Sequence, residues 1–301
     1  MKILITGGSG LLGSAVSVYF KNYYDVVSTY VSHKMEIKGC KTSYLDITDA
    51  KATKDFIKKQ KPDVIVHTSA IVSVDACEKN PELAYKLHVE GTRNIVQGCK
   101  ETNSKIIYIS TDYIFDGKKG MYRETDKAIP INYYGKTKLE GESLIDLKKD
   151  AVIRTSIFGW NAVKEKKSFS TWVYDELSSG KTAEMFTDQI KSLILVNDCA
   201  AILKEIIESD ICGILNATSS DPVSKYEFAL KLADVFGFAR NLVKPINNRD
   251  VPGYEKRPLD VSLDVSKAKS LLKSKLPTVK DGLINMKKLK ESNYLENFKV
   301  G

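Results

Sequence analysis

The sequence lacks the residue patterns that hold metal ions and disulfide bonds. Its five cysteines are odd in number and widely spaced, at Cys40, Cys77, Cys99, Cys199 and Cys212, and no Cys-x-x-Cys pair or Cys/His cluster occurs. Disulfide frameworks use even numbers of cysteines, and zinc sites use short ligand spacings. We therefore expect no metal site and no disulfides, and a reducing cytoplasm is the simplest location.

The chain also lacks long hydrophobic runs and concentrated basic blocks. No apolar stretch in its 301 residues approaches the ~20 residues that a membrane helix needs. Met1 leads straight into the apolar segment KILIT, so we expect no signal peptide. The formal net charge of +8 suits an anionic ligand, but no basic block carries interleaved aromatic residues. We therefore expect neither a membrane nor a nucleic acid as partner.

Apolar strands and amphipathic helices alternate along the first half of the chain. Strands are predicted at residues 2–6, 25–30, 43–49, 62–70, 105–112 and 151–159, and helices at 11–20, 47–60, 81–100 and 132–149. Such alternation is typical of an α/β fold with a parallel, doubly wound sheet. Beyond residue 160 the alternation loosens, with helices predicted at 168–180, 197–208 and 224–238, a strand at 213–218 and weak structure after Lys287.

A glycine-rich turn separates the first predicted strand from the first helix. The turn reads GGSGLLG. Glycines at such positions let the backbone turn tightly and approach a pyrophosphate, which would lie on the positive N-terminus of the helix. A tight structural turn without a ligand is the alternative interpretation. The dinucleotide interpretation predicts cofactor contacts at Gly7, Ser9, Gly10, Leu11, Leu12 and Gly13.

The residues after the second predicted strand indicate whether the site suits NAD(H) or NADP(H). An NAD site usually has an acidic residue there for the ribose hydroxyls, but no acid occurs before Glu36. Ser32, His33 and Lys34 stand in that region and suit the 2′-phosphate of NADP(H). We predict NADP(H) as the cofactor, with NAD(H) as the alternative. An ordinary polar loop is the competing interpretation of these residues.

A hydroxyl at a strand end and a Tyr–Lys pair on a helix form the candidate catalytic group. The segment KIIYISTD ends a buried strand with Ser110, Thr111 and Asp112. The later segment NYYGKTKLEGE places Tyr134 and Lys138 on one helical face. The charge of Lys138 is expected to lower the pKa of Tyr134, so that the phenol delivers a proton to a carbonyl near neutral pH.

The Tyr-x-x-x-Lys spacing alone is not specific. Tyr30 and Lys34 form a second such pair, on the adenosine side of a dinucleotide fold, and Tyr133 is a competing tyrosine. Because Tyr133 has Thr137 four residues on, only the Tyr134 register reaches a lysine. A solvated helix face is the alternative interpretation of the pair.

Several segments together resemble the extended short-chain dehydrogenase/reductase family and, within it, the dTDP-4-dehydrorhamnose reductase branch. They read STDYIFDG, YRETD and YGKTKLEGE, together with VDACEKNPELAY and RPLDVSLDVSKAKSLL. The resemblance covers nearly the whole chain. It implies a Rossmann-type NAD(P)-binding domain at residues 1–160, whose sheet is completed by later segments, and a smaller C-terminal α/β domain, mainly for substrate binding, at 161–301.

The resemblance also implies roles for individual residues. Thr111, or Ser110 in its place, would hold the substrate carbonyl, while Tyr134 would act as the acid and Lys138 would bind the nicotinamide ribose. Further cofactor contacts are implied at Asp46, Ile47, Ser69 and Ala70. Substrate contacts are expected from Ser110, Asp112, Arg154 and Arg257, with Lys166, Lys167 and Lys256 as further basic candidates.

The chain departs from the family pattern at several positions. Tyr113 stands where related dehydratases have an acid, which disfavours a dehydratase. His88 stands where the family usually has an Asn, so whether a proton relay operates at this position is an open question. Ile157 stands where the reductases often have a Trp. Leu193 and Ile194 stand where a Pro-Thr pair is expected. We expect the changes at Ile157 and at Leu193–Ile194 to affect which sugar binds rather than whether reduction occurs.

Three functions share such a site. An NADPH-dependent reductase of a nucleotide-diphosphate 4-keto-6-deoxysugar, as in dTDP-rhamnose biosynthesis, is the leading prediction. One alternative is a regulatory NADP-binding subunit similar to the β subunit of methionine adenosyltransferase, which keeps a similar Tyr-x-x-x-Lys. A nucleotide-sugar epimerase, which returns the cofactor unchanged, is another. The resemblance further implies a homodimer that pairs the helices at 81–100 and 132–149.

Overall fold

The computed structural model describes residues 1–163, 165–251, 253 and 257–300, in which strands and helices alternate. The strands are β1 (Lys2–Thr6), β2 (Asp25–Tyr30), β3 (Met35–Ile37), β4 (Lys41–Tyr44), β5 (Val64–His67), β6 (Lys105–Thr111), β7 (Ala151–Thr155), β8 (Ile157–Phe158), β9 (Ala183–Phe186), β10 (Ile190–Lys191), β11 (Ile194–Leu195), β12 (Gly213–Asn216), β13 (Val223–Ser224), β14 (Val243–Ile246) and β15 (Phe298–Val300). The helices are α1 (Leu11–Phe20), α2 (Ala50–Gln60), α3 (Val74–Lys79), α4 (Pro81–Tyr85), α5 (Gly91–Thr102), α6 (Tyr133–Glu142), α7 (Phe169–Ser178), α8 (Val196–Glu208), α9 (Lys225–Phe236), α10 (Ser266–Leu271) and α11 (Val279–Glu291).

Seven parallel strands form the central sheet, in the spatial order β12, β7, β6, β5, β1, β2, β4. The strand order reverses between β1 and β5, because the chain continues outward from β1 on one side and from β5 on the other. Ligands of open α/β sheets bind at such a reversal, outside the carboxyl ends of the strands. The predicted Rossmann-type α/β fold is confirmed.

Apolar side chains bury both faces of this sheet. Along β1, Ile3 and Ile5 pack with residues of α1 and α8 on one face, whereas Leu4 packs with residues of α2 and α5 on the other. All three are fully buried. Because helices cover both faces, β1 is a continuous apolar run rather than an alternating one.

The part of the chain after β7 combines short strand pairs with a second apolar cluster. β8 pairs with β11 and β9 with β14 in parallel, whereas β10 and β13 are antiparallel. A cluster around Phe158, Phe228 and Leu283 joins α7, α9 and α11. The chain returns to the central sheet at β12, which pairs with β7. The domain boundary at residue 160 stays a prediction.

Two predicted helices end or divide earlier than expected. The helix predicted at 132–149 ends at Glu142. Beyond it, Asp146 accepts from the Lys148 amide and Asp150 from the Ile106 amide, and such bonds compete with helical ones. The helix predicted at 81–100 is divided into α4 and α5 by a π-helical turn at Lys86–Glu90.

The segment after Lys287, expected to be weakly structured, forms regular elements. α11 continues to Glu291, and β15 pairs antiparallel with β3. Tyr294 and Phe298 pack against Met35 and Ile37. Strands of three residues show no periodicity in the sequence, so the pairing depends on this tertiary contact. No helix in the described ranges has both the length and the apolar composition to cross a bilayer.

Candidate active site

The turn after β1 lines the crevice at the reversal of strand order. Gly7 has a φ of +72°, and a Cβ there would lie 2.9 Å from the Ser69 backbone, so glycine is required. The Gly10 amide donates to the Gly7 carbonyl at 2.9 Å. Gly10 caps α1 without a side-chain hydrogen bond, so the first amides of the helix are left for an anion. The turn is therefore a cradle suited to a pyrophosphate.

The other predicted cofactor residues follow strands at the same edge of the sheet. Ser69 and Ala70 follow β5, and Asp46 and Ile47 follow β4. The Asp46 carboxylate accepts from the Thr48 amide at 2.9 Å and from its hydroxyl at 2.8 Å, which fixes the loop. Since the carboxyl ends of parallel strands meet at one edge, these residues lie on the crevice side of the sheet.

Ser32, His33 and Lys34 form a bend between β2 and β3. Ser32 Oγ lies 2.8 Å from His33 Nδ1. Lys34 is exposed, and no ion pair between described residues includes it. The bend therefore presents polar groups that suit a phosphate. Because Tyr30 ends a strand, the second Tyr-x-x-x-Lys does not lie on a helix.

Thr111 and Tyr134 meet at the carboxyl end of β6. Thr111 is the last residue of β6 and Tyr134 lies in the first turn of α6, and the Thr111 hydroxyl is close enough to the phenol to influence its pKa. Thr111 Oγ1 also donates to Asp112 Oδ1 at 3.0 Å. Ser110 donates instead to Glu142 at 2.5 Å. Of the two hydroxyls considered for the substrate carbonyl, Thr111 is therefore the one beside the tyrosine.

Burial, rather than Lys138, decides the ionisation of Tyr134. Loss of solvent raises the pKa of Tyr134 above its usual value, although the neighbouring Thr111 hydroxyl acts in the opposite direction. The Lys138 ammonium donates to the Ile109 carbonyl at 2.7 Å and lies 4.0 Å from the centroid of the Tyr108 ring. Burial lowers the pKa of Lys138 to about 7. The expected lowering of the Tyr134 pKa was wrong, and the phenol stays protonated near neutral pH.

His88 is a buried, neutral neighbour of the tyrosine. Its Nε2 accepts from the Ile71 amide at 2.9 Å, so Nδ1 carries the proton and donates to Thr137 Oγ1 at 2.7 Å. Burial lowers the pKa of His88 to about 3. Its ring packs edge-on at 5.8 Å from the Tyr134 ring. Because both ring nitrogens are committed, His88 orients α6 rather than relaying a proton.

Arg154 is committed to the protein interior rather than to a substrate. Its side chain is 4% exposed, and Nη2 and Nε donate to the two Glu142 carboxylate oxygens at 2.8 and 3.1 Å. Nη1 donates to the Glu124 carbonyl at 3.2 Å. The predicted substrate role of Arg154 was therefore wrong, and Ser110 is likewise occupied by Glu142.

Asp112 and Arg257, the other predicted substrate residues, are each held in an ion pair. Asp112 accepts from Lys191 Nζ at 2.8 Å, and Arg257 Nη2 donates to Asp75 Oδ2 at 2.8 Å. The Lys191 ammonium also lies 3.9 Å from the centroid of the Tyr113 ring. Sequence reasoning missed Lys191 because it lies 79 residues beyond Asp112.

Most of the other residues expected on the substrate side lie in apolar clusters, in an ion pair or outside the described residues. Leu193 and Ile194 are buried in apolar clusters, and their effect on which sugar binds stays a prediction. Lys167 pairs with Asp175 at 2.8 Å, and burial lowers the pKa of Lys166. Lys256 lies outside the described residues. Within those residues, no group of three or more potential metal ligands occurs.

The chain is similar to curated proteins over most of its length. The model of the RmlD substrate binding domain matches residues 1–291. The probable low-salt glycan biosynthesis reductase Agl14 of Haloferax volcanii is 30% identical over 289 residues, which cover 94% of this chain and 96% of that protein. The β subunit of methionine adenosyltransferase 2 from Xenopus tropicalis is 33% identical over 279 residues, which cover 90% and 82%.

Solved structures share the whole fold. A hypothetical dTDP-4-dehydrorhamnose reductase from Sulfolobus tokodaii is 39% identical, with a TM-score of 0.83, over 92% of this chain and 97% of that one. A dTDP-4-dehydrorhamnose reductase from Bacillus anthracis, solved in complex with NADP, is 25% identical, with a TM-score of 0.83, over 95% and 98%. This chain therefore shares the fold of these reductase structures, one of which was solved with NADP.

The role of Tyr134 as the acid is tested by Tyr134→Phe. General acid catalysis typically contributes about 10²–10⁴ in rate, so we expect kcat to fall by that factor while NADPH binds with unchanged affinity. Tyr133→Phe, one residue away and without the contact to Thr111, should keep near-normal turnover. Steady-state kinetics and fluorescence titration of NADPH measure the two effects. Normal turnover by the Tyr134→Phe enzyme would reject the assignment.

The role of Lys34 at the 2′-phosphate is tested by Lys34→Ala. A hydrogen bond to a charged group contributes roughly 1.5–3 kcal/mol, so the Kd for NADPH should rise by about 10- to 100-fold while the Kd for NADH stays the same. Lys38→Ala, which removes an exposed lysine just after β3, is the control and should change neither constant. Equal losses for both cofactors would show that Lys34 does not contact the phosphate.

Proposed function

Because the chain belongs to the family of the RmlD substrate binding domain, we propose that it is an NADPH-dependent reductase of a nucleotide-diphosphate 4-keto-6-deoxysugar, similar to dTDP-4-dehydrorhamnose reductase. The observation that carries this proposal is the placement of the Thr111 and Tyr134 hydroxyls beside each other at the carboxyl end of β6, on the same edge of the sheet as the glycine-rich turn. NADP(H) is the cofactor, with NAD(H) as the alternative.

In this proposal the chain's own residues position the carbonyl and supply the proton. NADPH, when bound, supplies the hydride. Thr111 holds the carbonyl oxygen of the substrate, and the Tyr134 hydroxyl gives its proton to that oxygen as the alcohol forms. The raised pKa of Tyr134 keeps the phenol in the protonated form that a donor requires. Lys138, on the same helix, binds the nicotinamide ribose.

The proposed cofactor contacts are those of the cradle and of the strand ends beside it. The pyrophosphate lies on the start of α1, and the 2′-phosphate meets the bend after β2. These assignments rest on the uncapped amides at the start of α1 and on the exposed ammonium of Lys34. The residues assigned are Gly7, Ser9, Gly10, Leu11, Leu12, Gly13, Ser32, His33, Lys34, Asp46, Ile47, Ser69 and Ala70.

The regulatory subunit remains a second candidate because of a specific observation. The β subunit of methionine adenosyltransferase 2 matches this chain at 33% identity, and a Tyr–Lys pair does not separate the two functions. A regulatory subunit would capture an adenosyltransferase and reduce no sugar. An epimerase would convert a nucleotide sugar without net loss of NADPH.

A panel of dTDP-, UDP- and GDP-linked 4-keto-6-deoxysugars separates these functions. We expect one of them to be reduced with one NADPH consumed per sugar, followed by NADPH absorbance and by product analysis. The Tyr134→Phe enzyme is the matched control and should leave the sugar and NADPH unchanged. Isomerised sugar with no loss of NADPH would identify an epimerase. No turnover, combined with capture of a methionine adenosyltransferase, would identify the regulatory subunit.

We also propose a cytoplasmic homodimer that pairs the helices at 81–100 and 132–149. The cytoplasm agrees with five free cysteines. The outward face of these helices is polar, with charged side chains at Lys86, Glu90 and Lys136, and Leu83 is 49% exposed within it.

Light scattering at micromolar concentration should report the mass of a dimer. Leu83→Glu introduces a charge at the proposed interface and should shift the population toward monomer without loss of secondary structure. Leu295→Glu, at a surface position with 39% exposure outside these helices, is the control and should leave the dimer intact. A monomeric wild-type protein would reject the dimer.

A further inference from the structure

Three basic side chains gather beside the catalytic strand end, and the resemblance assigned only one of them. Lys191 is paired with Asp112, the residue after Thr111. Lys225, the first residue of α9, directly follows β13, which pairs with β10 at Lys191, and the Lys225 amide donates to the Gln189 carbonyl at 3.0 Å. The charges of Lys191, Arg257 and Asp112 all act on Lys225. The cluster therefore joins β10, α9 and the segment after β14 to the end of β6.

Carboxylates balance only part of this positive charge. Lys191 has the buried carboxylate of Asp112, and Arg257 has Asp75, whose side chain is 65% exposed. Among the described residues, no carboxylate or other hydrogen-bond acceptor meets Lys225 Nζ. Burial, together with the charges of Lys191 and Arg257, lowers the pKa of Lys225 to about 7. An ammonium group held in this way is costly unless an anion joins it.

Aromatic rings hold the two lysines in place. The Lys225 ammonium lies 5.5 Å from the centroid of Phe169 and 5.3 Å from that of Phe186. The Lys191 ammonium lies over the ring of Tyr113. The side chain of Lys225 is only partly buried, so a ligand has access to it. Both lysines are thus positioned before any anion arrives.

We propose that Lys225, with Lys191 beside it, forms the site for the phosphate oxygens of the nucleotide-diphosphate sugar. The inference rests on the proposed function and places the anion contacts on residues different from Arg154, Lys166 and Lys167. Because Lys191 contacts Asp112, the anion site lies next to the hydroxyl that would hold the carbonyl. Binding of the diphosphate there fixes the distance at which the sugar reaches Thr111 and Tyr134.

Lys225→Met tests the site because it removes the charge and keeps most of the apolar stem between the rings. By calorimetry, we expect the Kd of dTDP or UDP to rise by about 10- to 100-fold, as for loss of a charge-assisted hydrogen bond. Inorganic pyrophosphate should lose affinity as well, whereas the Kd of NADPH should not change. Lys225→Arg should retain nucleotide binding within a few-fold, and Lys231→Met, on the same helix, should resemble wild type.

Each outcome bears on the proposal separately from catalysis. Unchanged nucleotide affinity in Lys225→Met, or a wild-type protein that binds neither nucleotides nor pyrophosphate, would overturn the site. An equal loss of affinity for NADPH in Lys225→Met would show that the anion site belongs to the cofactor, and would also overturn the proposal. Wild-type binding of a nucleotide that depends on Lys225, without reduction of any ketosugar, would support the site and reject the reductase. Melting temperature, measured for every variant, excludes unfolding as the cause of lost binding.

Discussion

A buried ion pair between Glu142 and Arg154 connects the helix of the candidate acid to the central sheet. The pair has two contacts, and both side chains are 5% exposed or less. Ser110 donates to the same carboxylate from β6. α6, β6 and β7 are therefore held together by one carboxylate at the base of the site. Removal of one partner from such a buried pair typically costs 3–5 kcal/mol, so the position of Tyr134 depends on it.

Because this packing excludes water, it determines whether the titratable side chains near Thr111 are charged. Burial lowers the pKa of His67 and of His88 to about 3, and raises that of Tyr134. Each histidine has its ring nitrogens committed, since His67 lies between Thr6 and Thr92. The imidazoles are therefore neutral near pH 7, and the buried Tyr134, beside Thr111, is the proposed proton donor. A neutral, dry surrounding strengthens the hydrogen bonds that a developing alkoxide would receive.

The sequence predicted well what depends on neighbouring residues. The turn needs glycine at Gly7 because of its local φ of +72°, and the helical register of Tyr134 separates it from Tyr133. Arg154 was assigned wrongly because its position at a strand end resembled that of a ligand, whereas its carboxylate partner lies on another element. The pairing of Lys191 with Asp112 joins segments 79 residues apart and has no local signal. The strand at Phe298–Val300 was missed for the same reason, since only β3 makes it a strand.

The two parts of the chain contribute different chemistry to the proposed site. The central sheet supplies hydroxyl groups, whereas the later segments supply the cations Lys191, Lys225 and Arg257. An anion that enters near Lys225 stabilises its ammonium form and raises its pKa from about 7. The charges of Lys191 and Arg257 lower the pKa of Lys225. The charge of Asp112 raises it, as a bound anion would. In the proposed site, binding of a diphosphate would therefore be coupled to uptake of a proton by Lys225 near neutral pH, so that the ammonium form is favoured when the substrate is bound.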